Sequence, residues 1–89
     1  MTENEISKII VDTAYKIHVT LGPGLLETVY RVILEHDLKE NGLRVEHEVS
    51  IPIIYKQIKF DEGFRADLIV ENKVIIEIKS VENIKNVHK

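Results

Sequence analysis

The stretch Arg65-Ala66-Asp67-Leu68-Ile69-Val70-Glu71-Asn72-Lys73-Val74-Ile75-Ile76-Glu77-Ile78-Lys79-Ser80 reads as two strands joined by a short polar loop. Paired residues of neighbouring strands share a face, so the loop length decides which side chains meet. A two-residue loop, Asn72-Lys73, pairs Leu68 with Glu77 and mixes apolar and charged residues on both faces. A three-residue loop, Glu71-Asn72-Lys73, pairs Leu68 with Ile76 and Val70 with Val74, and one face becomes wholly apolar: Leu68, Val70, Val74, Ile76 and Ile78. Burial favours the second register, since each side chain removed from water contributes roughly 1.5–3 kcal/mol. Asn72 also tolerates the left-handed conformation that such loops use.

The same register sets Asp67 opposite Glu77 on the other face, with Lys79 two residues further on the same side. Ile69 and Ile75 share that face, which predicts that it is not fully solvated. Two carboxylates side by side repel unless a cation or a proton lies between them. A salt-bridge cluster neutralised by Lys79 is one account of the three charges. The other is a site for a hard divalent ion, which takes oxygen ligands and keeps waters for chemistry. On the second account, Asp67→Ala removes repulsion and keeps or raises stability; on the first, it lowers it.

Upstream, Ile6, Ile9, Ile10, Ala14, Ile17 and Leu21 fall on one stripe at helical spacing, and Thr2 with Glu5 forms a candidate capping box. These predict a helix over about residues 4 to 20. Gly22-Pro23-Gly24 ends it, and no P-loop Lys-Ser/Thr follows to make a phosphate cradle. Leu26, Val29, Tyr30, Ile33, Leu34 and Leu38 draw a second stripe up to Asn41-Gly42, predicting a helix over about residues 24 to 41. Leu43, Val45, His47 and Val49 then alternate with Arg44, Glu46, Glu48 and Ser50, as in a strand with one wet face. Residues 51–60 continue in β-rich sequence, with Pro52 at a bend or edge and Asp61-Glu62-Gly63 as a turn before the final pair of strands. The expected order is two helices followed by four strands, a single α+β domain over residues 1–89 with an antiparallel meander.

Composition narrows the function. With no cysteine there is no disulfide framework and no thiolate metal site, which suits a reducing cytoplasm. No apolar run approaches the roughly 18 residues of a membrane span, and no membrane partner is expected. The net charge of -3 gives no general attraction for nucleic acid, so a local basic surface or a bound cation has to supply it. His47 points away from Glu46 and Glu48 on a strand, and His18 and His36 lack metal-ligand spacing. The run Glu35-His36-Asp37 with Lys39-Glu40 reads as a solvated helix face.

Asp67 followed by Glu77-Ile78-Lys79 resembles the D…(D/E)xK signature of the PD-(D/E)XK nuclease superfamily. Gly24-Leu25-Leu26-Glu27-Thr28-Val29-Tyr30, with Arg65-Ala66-Asp67 and Glu77-Ile78-Lys79-Ser80, is similar to its GxxExxY family, from the first helix to the residues around His88. The resemblance implies a restriction-endonuclease-like αβββαβ core and hydrolysis of DNA or RNA phosphodiesters with Mg2+ or Mn2+, DNA being favoured. It implies that Asp67, Glu77 and Glu27 are metal ligands and Lys79 the catalytic lysine. Glu27 also borders the apolar stripe of its helix, a place from which it can lean towards the sheet. Tyr30 fits both the motif and the core stripe, and packing is its simpler role. The chain stops at Asn86-Val87-His88-Lys89, so the expected core lacks its C-terminal helix and strand, and an uncovered sheet face would favour a homodimer. The rival expectation is a non-catalytic interaction domain whose acidic cluster is a relic.

Overall fold

A computed structural model describes residues 1–79 of the chain. Two helices, α1 (Glu3–Leu21) and α2 (Glu27–Glu40), precede three antiparallel strands, β1 (Val45–Tyr55), β2 (Ile58–Val70) and β3 (Val74–Ile76), in the sheet order β1-β2-β3. The α+β class and the meander agree with the sequence pattern. Helix α1 starts at the expected capping box: the Glu5 N–H donates to Thr2 Oγ1 at 3.2 Å, and the Thr2 N–H donates to Glu5 Oε1 at 2.8 Å. These bonds hold the Glu5 pKa below its ordinary value.

Helix α2 ends where Asn41-Gly42 predicts. The Leu43 N–H donates to the Leu38 carbonyl and the Gly42 N–H to that of Lys39, with Gly42 at φ 83, a conformation glycine adopts without a Cβ penalty. This turn drops Leu43 onto Leu38, and both are buried. Ile6, Ile10 and Ile17 of α1 meet Leu34 and Leu38 of α2 against Val45, Leu68 and Val70 of the sheet, so one core lies between the helices and one face of the strands.

The last hairpin takes the three-residue register: Leu68 pairs with Ile76, Ile69 with Ile75 and Val70 with Val74. Glu71 and Asn72 adopt φ 55 and φ 56, the left-handed backbone expected for Asn72. Five expectations need correction. Helix α2 begins at Glu27 rather than near residue 24, leaving Leu26 outside it and exposed. There are three strands among the described residues, not four, because residues 45–55 form one strand that turns at Lys56-Gln57. Asp61-Glu62-Gly63 is not a turn; it bulges against Pro52, between the pairs Ile51–Phe64 and Ile53–Phe60. Strand β3 closes at Ile76 instead of running to residue 80, and its outer face is wetter than Ile69 and Ile75 suggested, with Ile75 51% exposed.

Candidate functional site

Asp67 lies in β2, the central strand, between Ala66 and Leu68, both fully buried in the core. Its neighbours pin the backbone, and its own side chain points to the opposite face. The carboxylate accepts a hydrogen bond from the Ile78 N–H at 2.7 Å. Removal of the whole side chain therefore strands a partly buried donor, and the expectation that Asp67→Ala leaves stability unchanged or raised gives way to a cost of about 1–2 kcal/mol.

Around Asp67 opens a polar cavity of about 320 Å³, lined by Glu27, Thr28 and Arg31 of α2, Glu48 of β1, Arg65 and Asp67 of β2, and Ile78. Glu27 and Thr28 are the first two residues of α2, where the helix dipole favours negative charge. The fold thus brings Glu27 to the same cavity as Asp67 across forty residues of chain. It does not bring Glu77 and Lys79 there. Both follow the end of β3 and are exposed, 40% and 71% respectively, with Lys79 Nζ 3.7 Å from Glu77 Oε2. The register would set Glu77 opposite Asp67, but the ladder stops one pair short. Ser80 and His88 lie outside the described residues.

Arg31 and Glu48 carry no motif signal, and Arg65 enters the motif only as the neighbour of Asp67, yet all three line the cavity. Glu48 Oε1 lies 3.3 Å from Arg31 Nη2, and Glu48 Oε2 accepts from Arg65 Nη2 at 2.8 Å. Glu48 sits in β1 with φ 50, a left-handed backbone that L residues adopt only at a steric cost. It falls between the pairs His47–Leu68 and Val49–Ala66, directly across from Asp67. The β1–β2 register would have exposed this relation, but the Lys56-Gln57 turn that sets it lacks the Gly or Asn signal of a tight hairpin.

The charge network continues from Arg31 to Glu35, which is buried on α2 and lies 3.0 Å from both Lys39 Nζ and His47 Nδ1. Burial alone would push the Glu35 pKa up. The hydrogen bonds and charges of His47 and Lys39 outweigh it, and the pKa falls below its ordinary value of 4.5. A carboxylate depressed in the folded state stabilises fully above its unfolded pKa, and that contribution is lost as pH falls through the folded value. Glu35→Gln is therefore expected to lower stability near pH 7 by about 2 kcal/mol and to shrink the difference from wild type in acid, read from urea melts at several pH values. An unchanged difference at pH 3 would contradict this linkage.

Tyr30 takes its packing role: its hydroxyl donates to the Ala14 carbonyl at 3.1 Å, tying α2 to α1, and burial raises its pKa. His18 is exposed, as expected. Among the described residues, three donor atoms within 4.8 Å of one another occur at His36, Asp37 and Glu40 rather than at Glu27, Asp67 and Glu77. That group is on the wet face of α2. The Asp37 hydrogen bond and then the Glu40 charge raise the His36 pKa, which favours the protonated ring, and metal binding requires the neutral one.

The sequence model of the PD-(D/E)XK nuclease superfamily matches residues 4–89, and the chain belongs to that superfamily. No curated protein and no solved structure matches it. Among the described residues, no helix is long and apolar enough to cross a membrane. The domain is nuclease-like by family, and nucleases of this superfamily are generally dependent on a divalent metal. The cavity suits such an ion in donor chemistry: Asp67 and Glu27 offer carboxylate oxygens, and Mg2+ commonly takes one or two carboxylates and completes its shell with water. Three lining carboxylates also face two guanidiniums, an excess of negative charge that a cation would offset.

Proposed function

We propose that this chain is a divalent-metal-dependent nuclease domain, of the GxxExxY type within its superfamily, that hydrolyses phosphodiester bonds in DNA in preference to RNA. The observation that carries the reading is the convergence of Glu27 and Asp67 on one polar cavity in a chain matched by the superfamily over residues 4–89. Gly24, Glu27 and Tyr30 at their motif spacing support the narrower family.

In this reading Asp67 and Glu27 would hold Mg2+ or Mn2+, with Glu77 as the third acid of the motif. Bound there, the ion would polarise the phosphoryl oxygens and lower the pKa of a coordinated water. Asp67 has the position for it, because the buried residues on either side fix its backbone. Lys79, following Glu77, would stabilise the charge that develops on the phosphate. A non-catalytic interaction domain is the second reading, favoured by one observation: Glu77 and Lys79 pair with each other on the surface, outside the cavity.

Incubation of the chain with duplex DNA and with RNA, in Mg2+ and in EDTA, separates the two. The nuclease reading expects cleavage in Mg2+ that EDTA abolishes, with DNA cut faster. Binding without cleavage under every metal condition would sustain the interaction domain instead.

A further inference from the structure

Glu48 engages one guanidinium with each of its two carboxylate oxygens: Arg31 through Oε1 and Arg65 through Oε2. A phosphodiester is likewise a monoanion with two non-bridging oxygens, and guanidinium forks match either group. The Glu48 carboxylate reaches this place from a left-handed backbone inside a strand, so the chain holds a disfavoured conformation where its carboxylate spans two cations. All three side chains line the cavity that holds Glu27 and Asp67. The pairing is also exchangeable. Arg65 is 68% exposed and Glu48 45%, and ion pairs so open to water are weak and readily replaced. Arg31 is different: only 15% of its side chain is exposed, and Glu35 on the next turn of α2 supports it from behind, so it is held in place.

We propose that Arg31 and Arg65 form a clamp for a phosphate of the nucleic-acid substrate, and that Glu48 occupies the clamp until that phosphate displaces it. This deepens the nuclease reading and rests on it for the identity of the substrate. The clamp also sets two guanidiniums at one cavity of a chain whose net charge is -3.

The test is binding of a fluorescent DNA duplex, and of an RNA of the same sequence, in EDTA at several salt concentrations, so that cleavage is not needed. Glu48→Gln is expected to tighten binding several-fold. Arg31→Gln and Arg65→Gln should weaken it, each lowering the log–log salt slope on duplex DNA by about 1. Glu46→Gln changes the net charge equally from an exposed position outside the cavity and should stay near wild type. Arg65→Gln carries the test if the more buried Arg31→Gln fails to fold. Unchanged slopes in the arginine variants, weaker binding in Glu48→Gln, equal tightening in Glu46→Gln, or no binding by wild type and Glu48→Gln alike would overturn the clamp. Mn2+ broadening of the wild type keeps the two readings apart: broadening at the cavity without arginine effects sinks the clamp alone, and arginine effects without broadening sink the nuclease reading alone.

Discussion

Replacing Asp67 with asparagine is expected to reduce metal-dependent cleavage by more than about 100-fold, since changes merely to the partners of metal ligands cost 10–100-fold. The same change is expected to leave the melting curve within about 1 kcal/mol of wild type, because an amide oxygen can still accept the Ile78 N–H. The split between the two readouts is the informative part. Asp67→Ala loses the acceptor as well as the charge, so it lowers activity and stability together and cannot separate a metal ligand from a structural hydrogen bond. An Asp67→Asn variant that kept its activity would remove Asp67 from the metal site. One that unfolded would show that the carboxylate charge, rather than its hydrogen bond, holds the end of β3.

The second large effect concerns the scaffold. Leu68→Ala empties a fully buried position on the central strand, where α1, α2 and the sheet share one core. Substitutions of this kind typically cost 2–5 kcal/mol, and about 4 kcal/mol is expected here because Leu68 is fully buried within the core cluster of helix and strand residues. For a domain of this size each kcal/mol lowers the Tm by about 4–8 °C, so a fall of about 15–30 °C should be seen. Ile75→Ala, in the same hairpin but half exposed on the other face, is the control and should cost less than about 1 kcal/mol. Similar losses for the two variants would contradict the assignment of faces.

That assignment was legible in the sequence for a physical reason. In the last hairpin a slip of one residue exchanges an apolar face for a mixed one, so burial selects a single register, and Leu68 does pair with Ile76. The helix boundaries at Thr2 and Gly42 were legible because both are written in local hydrogen-bond chemistry. The first hairpin was not. Its outer half is wet on both faces, with Ile53, Ile54, Tyr55, Ile58 and Phe60 all exposed, so burial exerts little selection there. Its turn is Lys56-Gln57, whereas the stronger turn signal, Asp61-Glu62-Gly63, is a bulge.

The site divides along the same line. Asp67 and Glu27 could be singled out from strand spacing and the helix motif, and the fold brings both to one cavity. Glu77 and Lys79 were placed by extending a ladder that ends at Ile76. Glu48, Arg31 and Arg65 meet through tertiary contacts between α2, β1 and β2, which no local pattern encodes. In the sequence Glu48 reads only as part of the polar face of a strand, which conceals its position across from Asp67.

The most direct measurement of the central claim, that Asp67 and Glu27 share a divalent ion, is titration of Mn2+ into the isotopically labelled chain, with paramagnetic broadening followed amide by amide. Broadening that begins around residues 27–28, 66–67 and 78, and is absent from the same positions in Asp67→Asn, is the predicted result. Broadening centred on residues 36–40, where His36, Asp37 and Glu40 already cluster, would contradict it and place the ion on the outer face of α2.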